Sequence, residues 1–168
     1  MSRFELDPEE SQVWIDGSSS VHPIRAAATG VTGWIELDRS GDDIAAASLL
    51  AGELHVAVDR LASGNALVDR ETRHRIDATH YPEIAGTVTA VERIGTDRFA
   101  ATGDLAFRGE VRSVSGELVV SLDGEQLIVE GSQTFDVREW GLRLPRIGFL
   151  RVHPDVRVRI RIVAKPAA

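Results

Sequence analysis

The sequence predicts an all-β protein in which antiparallel strands form a sandwich or a barrel. The clearest evidence is the run of residues 156–162, where apolar and charged residues alternate without interruption. Because successive side chains of a strand point to opposite faces, Val156, Val158, Ile160 and Ile162 share one face. Similar short runs recur along the chain with tight turns between them, and no strand–helix–strand rhythm separates them. Many short strands joined in this way are typical of antiparallel barrels and sandwiches.

Seven further segments carry strand patterns. They are residues 12–16, 24–38, 54–61, 83–94, 98–107, 111–122 and 126–137. Gly95-Thr96-Asp97 and Asp123-Gly124 predict hairpin turns, because Gly and Asp tolerate the backbone that tight turns require. Gly30 and Gly33 interrupt the longest run, which indicates a strand that bends sharply where a sheet closes on itself.

One segment, residues 65–78, departs from the strand pattern and predicts a single short helix. Asn65 is a suitable N-cap, and Leu67, Val68, Thr72 and Ile76 recur at roughly helical spacing. The segment is highly charged, so the helix is expected to lie on the barrel or across its mouth. The pair Tyr81-Pro82 restarts extended structure, because a residue before proline avoids the α region.

Length and composition place limits on the function. A chain of 168 residues predicts one domain covering residues 1–168, large enough to bury a core. A net charge of −7 argues against a nucleic-acid partner, which requires clustered positive charge. The absence of cysteine excludes disulfides and thiolate metal ligands. The acidic start without an apolar core does not resemble a secretory signal, and no run is long enough for a membrane helix, so we expect a cytoplasmic protein.

The sequence contains no constellation that predicts catalysis. Five histidines are present, but none forms a compact ligand pattern, so no metal site and no cofactor are expected. The triplet Ser18-Ser19-Ser20 lacks the surroundings of a nucleophile elbow and is interpreted as a loop. Asp77 and His80 are candidates for an acid–base pair, with capping of backbone groups near the turn as the alternative for Asp77 or Thr79.

Several short motifs occur in the order found in one known family. They are Trp14-Ile15-Asp16, Ser20-Val21, Gly33-Trp34, then Ile76-Asp77 with Tyr81-Pro82-Glu83-Ile84, then Gly103-Asp104-Leu105-Ala106-Phe107-Arg108-Gly109, and finally Arg138-Glu139-Trp140-Gly141. Their order and spacing over nearly the whole chain resemble the YceI-like family of lipocalin-like, polyisoprenoid-binding barrels. The resemblance implies an extended antiparallel lipocalin-like β-barrel of about eight strands with one short α-helix.

The same resemblance implies a cavity that holds a long isoprenoid tail, such as that of a quinone or a polyprenyl lipid. The expected apolar wall residues are Trp34, Ile84, Leu105, Phe107, Phe135, Trp140 and Leu142. Ordinary core packing is the alternative for each of them, because alternation alone does not separate a hollow barrel from a filled one. Arg138 is expected to contact a head group at the mouth, with an exposed strand-end charge as the alternative.

The chain also departs from the family pattern, and two rival functions stay open. His22-Pro23 and Ala85-Gly86 stand where aromatic residues are usual, so the cavity is expected to be wider, differently shaped or closed. The first rival is an enzyme with Asp77, His80 or Arg138 at the cavity mouth. The second is a filled barrel that binds other proteins through an apolar patch around Phe149-Leu150. Homodimerisation through an edge strand or residues 142–153 is a further possibility.

Overall fold

The computed structural model describes residues 2–20, 23–38, 48–142, 146–147, 150–151 and 153–167. The strands are β1 Ser2–Leu6, β2 Gln12–Ser18, β3 Pro23–Ala28, β4 Thr32–Asp38, β5 Ser48–Ala57, β6 Glu83–Arg93, β7 Arg98–Phe107, β8 Glu110–Asp123, β9 Gln126–Asp136, β10 Arg146–Ile147, β11 Leu150–Arg151 and β12 Asp155–Pro166. The helix α1 spans Ala66–Ile76 and lies between β5 and β6.

The main sheet closes into an antiparallel barrel. Strands β4 to β9 pair in the order β4–β5–β6–β7–β8–β9, and β9 pairs with the long strand β12. The other edge of β12 pairs with both β1 and β2, which in turn pair with β4 and β3. Because β1–β2 and β3–β4 each serve as one bent strand, the described residues form a closed barrel of eight strands. The predicted fold class is therefore confirmed.

The predicted bend in residues 24–38 is confirmed, and it divides the run into β3 and β4. Gly30 adopts a φ of 79° at the break, and Gly33 has a φ of 143°. A β-carbon at Gly33 would collide with the carbonyl oxygen of Glu53 on the neighbouring strand. Only glycine permits that backbone and that close approach. Before the break, β3 turns away from β5. An isolated β-bridge between Ala27 and Ala62 connects β3 to the segment that follows β5.

Two parts of the sheet differ most from the sequence prediction. The strand β1 is absent from the predicted set, because its alternation is short, with only Phe4 and Leu6 as apolar positions before an acidic turn. The strand predicted over residues 54–61 begins at Ser48 and ends at Ala57, followed by a 3₁₀ turn at Val58–Arg60. The prediction misses the start because residues 44–52 are small and apolar without a period of two.

The predicted helix is confirmed, including its cap. The Asn65 side chain accepts hydrogen bonds from the backbone N–H groups of Leu67 and Val68, which have no partner inside the helix. The residue after the helix, Asp77, is its C-cap and adopts a left-handed backbone conformation. Within α1 only Ile76 is buried, and Leu67 is 50% exposed. The helix therefore rests lightly on the barrel, anchored at its C-terminal end.

The hydrophobic core is concentrated at one end of the barrel. Phe4, Leu37, Phe99, Val120 and Leu127 are almost completely buried there and fill the interior. A smaller cluster of four buried residues lies at the opposite end, next to α1: Val58, Ile76, Val137 and Leu142. The barrel is thus packed at one end and only lightly covered at the other.

Candidate functional site

A cavity of about 450 Å³ lies inside the barrel between the packed end and α1. Its walls are the inward-facing apolar side chains of most strands, among them Ile15, Leu54, Ile84, Leu105 and Val158. These side chains are only partly buried although they point to the barrel axis. Their remaining exposed surface therefore belongs to an open interior, and this interior has the size of a small-molecule site.

Glycines on the inner face keep this part of the barrel hollow. A β-carbon at Gly86 would reach only Leu54 and Leu105, at 3.7 to 4.0 Å, and one at Gly116 would reach only Gln133. Neither glycine has the positive φ that would require the residue for backbone reasons. A large side chain at Gly86 would occupy this space, so the glycine leaves room in the cavity.

Six of the eight residues predicted to bind ligand line this cavity. They are Ile84, Leu105, Phe107, Phe135, Trp140 and Leu142. Ile84, Leu105 and Phe107 lie on neighbouring strands, and the other three come from the end of β9 and the turn after it. Whether they contact a ligand stays a prediction.

The other two predicted residues, Trp34 and Arg138, do not line the cavity. Ile35 takes the inward position of β4, so Trp34 lies on the outer face, where the Arg3 guanidinium carbon is 4.6 Å from its ring centre. The Arg138 side chain is 66% exposed, and its guanidinium donates to the Asp136 carboxylate at 2.7 Å. That ion pair lowers the pKa of Asp136 and holds Arg138 on the surface.

Trp140 closes the wall of the cavity near α1. Trp140 is the last residue of a 3₁₀ turn. The Asp136 carboxylate caps the start of this turn by accepting the Arg138 backbone N–H, and Gly141, with a φ of 75°, follows its end. The indole N–H donates to the Leu105 carbonyl oxygen at 3.0 Å. The indole also meets Phe135 edge to face, with 5.9 Å between ring centres. The motif Arg138-Glu139-Trp140-Gly141 thus orients Trp140 towards the cavity, although the Arg138 side chain points away from the cavity.

Charged side chains of α1 border the cavity and were not among the predicted site residues. They are already paired: Asp69 accepts from the Ser63 hydroxyl at 2.6 Å, and Arg75 lies 3.7 Å from Glu71. Arg73 lies 3.8 Å from Asp59. The sequence signal for these residues is the charged helix itself, which is expected to lie on the barrel or across its mouth.

The residues of the enzyme hypothesis do not converge in the cavity. Asp77 and His80 do form a pair, with 2.9 Å between the carboxylate and Nδ1, but both are exposed and neither lines the cavity. The hydrogen bond from His80 lowers the pKa of Asp77. In the described part of the chain, no group of three or more His, Asp or Glu side chains is arranged so that it could hold a metal ion. His22 lies outside the described residues.

The filled-barrel hypothesis conflicts with the cavity itself. Of the apolar patch proposed around Phe149-Leu150, Phe149 lies outside the described residues, as does half of the segment 142–153. No helix among the described residues is long and apolar enough to cross a membrane.

Comparisons with known proteins agree with this architecture. The family model of the YceI-like domain matches residues 4–164. The structure of BcnA from Burkholderia cenocepacia superposes with a TM-score of 0.82 at 16% identity, covering 95% of this chain and 99% of that protein. A polyisoprenoid-binding domain from Saccharophagus degradans, implicated in plant cell wall breakdown, gives 0.77 at 14% identity, covering 99% and 100%. A YceI protein from Campylobacter jejuni gives 0.71 at 11%, covering 86% of each chain. Among curated proteins, no match was found.

Proposed function

Because the chain belongs to the YceI-like family, we propose that it binds a long apolar ligand in the barrel cavity and does not catalyse a reaction. The proposed ligand is an isoprenoid lipid of the quinone or polyprenyl type. Such a molecule is too insoluble to diffuse freely in water, so a protein that encloses its tail sequesters it or carries it. No cofactor other than this ligand is proposed.

The observation that carries the proposal is the apolar cavity in a barrel that is packed at its other end. A slender hydrocarbon chain gains about 0.8 kcal/mol for each methylene that leaves water. A dozen buried methylenes would contribute roughly 10 kcal/mol before the costs of ordering and desolvation. A cavity with walls of Ile84, Leu105 and Phe107 provides this term without any charged contact.

The solved relatives support the class of ligand. The Saccharophagus degradans structure is described as a polyisoprenoid-binding domain. At 14% identity this likeness carries the fold; the apolar character of the ligand is inferred from the cavity of the present chain, and its isoprenoid class from the family. The prediction that nucleic acid is not a partner rests on the net charge of −7. Homodimerisation and a cytoplasmic location stay predictions.

Native mass spectrometry of freshly purified protein tests the proposal. The protein is sprayed intact, and a parallel sample is extracted with organic solvent for lipid identification. We expect an additional mass at near-stoichiometric occupancy and a matching isoprenoid lipid in the extract. Protein without bound lipid, and without uptake of added quinone or polyprenol, would contradict the carrier function.

A further inference from the structure

The barrel wall opens between β8 and β9. The two strands pair from the hairpin at Asp123 and Gln126 as far as Leu118 and Gly131, and the ladder stops there. On the side of this pair that is away from the hairpin, the first eight residues of β8 pair with β7. The last five residues of β9 pair there with β12. Residues on both sides of the gap, among them Ser115, Gly116 and Ser132, line the cavity. The cavity therefore reaches the gap from inside.

Gln133 is a polar side chain on the inner face at this gap. Its register partner on β12 is Val158, which faces the interior, and directly opposed residues of antiparallel strands share a face. A β-carbon at Gly116 would lie 3.8 Å from the Gln133 amide nitrogen, which places the amide beside the hollow part of β8. Gln133 is also exposed. Its amide group is therefore open both to the cavity and to the gap.

The Gln133 amide keeps part of its hydrogen-bonding capacity. Its nitrogen donates one hydrogen to the Ser115 carbonyl oxygen across the gap at 2.5 Å, and its oxygen accepts the Thr134 backbone N–H at 3.2 Å. An amide nitrogen carries two hydrogens and an amide oxygen two lone pairs. With respect to the described residues, one donor and one acceptor position thus stay available on this side chain.

We propose that the gap between β8 and β9 holds the polar end of the ligand and that Gln133 is its hydrogen-bonding partner. This inference rests on the proposed function and specifies the ligand further, as an isoprenoid with an uncharged polar end, such as a quinone carbonyl or an alcohol. A neutral amide matches an uncharged group. A diphosphate requires arginine or lysine in a charge-assisted arrangement.

The charged groups described around the gap favour the same class. Glu117 borders it with an exposed carboxylate, 3.7 Å from Arg98, and a phosphate placed nearby would meet this like charge. Arg157 donates to the Ser132 hydroxyl on the outer face at 3.1 Å. On the described inner face next to the gap, the polar side chain is the amide of Gln133.

The test compares Gln133→Leu with the matched control Gln126→Leu, which changes the same residue type on the same strand at the packed end of the barrel. Binding of a short-chain quinone, geranylgeraniol, geranylgeranyl diphosphate and squalene is measured by calorimetry. We expect Gln133→Leu to weaken quinone and geranylgeraniol binding roughly three- to tenfold, the effect of one net hydrogen bond. Squalene, which has no polar group, should bind both variants like the unchanged protein.

A second variant distinguishes the two uncharged ends. Gln133→Glu leaves an acceptor but no amide donor, so it should weaken the quinone, which only accepts, more than the alcohol, which also donates. Equal loss of squalene and quinone in Gln133→Leu would overturn the inference in favour of a structural role, and so would tighter binding of the diphosphate than of geranylgeraniol. If the unchanged protein bound none of the four, the proposed function itself would fail.

Discussion

At the scale of single residues, the size of a few inward side chains determines whether the barrel is hollow. Gly86 and Gly116 stand at inner positions where a larger residue would fill the space, and their backbone does not require glycine. Neighbouring wall residues such as Leu54 and Leu105 are large and mark the edge of the cavity. The cavity therefore depends on the identity of a few inward-facing residues. The closure of the barrel does not depend on them.

Gly86→Phe should fill the cavity and weaken quinone binding roughly tenfold or more, because the ring would occupy the volume of the tail. The matched control is Ala90→Phe, on the exposed side of the same strand. Both variants should stay folded, because Gly86 has no positive φ and its β-carbon position makes only ordinary contacts, while Ala90 is exposed. Equal affinity of Gly86→Phe and Ala90→Phe would exclude this region as the binding site.

A second residue-scale prediction concerns His55 on the outer face of β5. Partial burial alone would lower its pKa, but its ring contacts the carboxylates of Glu83 and Glu53, both at 2.5 Å, and together they raise the pKa above 6.5. A raised pKa stabilises the folded state below the unfolded value, and this stabilisation is lost as pH rises through the folded value. The free energy of unfolding should therefore fall as pH rises above about 6.5.

NMR titration of the His55 ring checks the cause. Glu83→Gln should lower the His55 pKa, and His55→Gln should remove its share of the decline in unfolding free energy with pH. A His55 pKa that is unchanged by Glu83→Gln would show that the carboxylate contact does not determine it.

Sequence patterns alone locate part of the cavity wall but not the Gln133 amide beside it. Alternation and family motifs identify Ile84, Leu105 and Trp140, because strand period and turn motifs are local properties. Alternation defines two faces without saying which one is inside, so it does not show that Trp34 lies on the outer face. Gln133 was missed because its importance depends on where the β8–β9 ladder ends, which is a long-range property.

At the scale of elements, the bend between β3 and β4 lets one stretch of chain pair with β5 and then turn away from it. Gly33 permits β4 to approach β5 closely while β3 departs from it. Gly30 and Gly33 predict the bend from the sequence, because glycine inside a strand pattern commonly marks a sharp bend or a close backbone approach. The sequence does not predict where β5 ends and α1 packs, since Val58, Ile76, Val137 and Leu142 are brought together from distant segments.

Gly33→Ala should destabilise the fold by about 2–4 kcal/mol, because the new methyl group meets the Glu53 carbonyl and the backbone is strained. Gly64→Ala is the matched control: Gly64 also has a positive φ, of 82°, but nothing lies within 4 Å of its β-carbon position. It should cost about 1 kcal/mol. Urea unfolding measures both, and equal losses would mean that the close approach has no role.

The light anchoring of α1 leads to a prediction about its N-terminal turn. Asn65→Ala removes the acceptor for the Leu67 and Val68 N–H groups and should cost about 1 kcal/mol. Because Leu67 is exposed, the loss should be local, so hydrogen exchange should accelerate in α1 while the strands stay protected. Asn65→Asp keeps the cap and serves as control. Acceleration throughout the barrel would contradict a lightly anchored helix.

At the scale of the whole molecule, the barrel is packed at one end and hollow at the other. The packed end, with Phe4, Phe99 and Leu127, supplies stability, so the hollow end need not be filled for the chain to fold. This division lets a barrel of eight strands hold a slender guest beside a complete core. A cavity built in this way is expected to bind and release ligand without unfolding the barrel.

The most direct test of the central claim uses the three tryptophans of the chain. Trp140 lines the cavity, whereas Trp14 and Trp34 lie outside it, so the double variant Trp14→Phe/Trp34→Phe carries a single indole inside. Titration with a short-chain quinone should quench this fluorescence saturably, with one ligand per chain. Quenching no stronger than that of a free tryptophan derivative in the same quinone solution would contradict a ligand in the cavity.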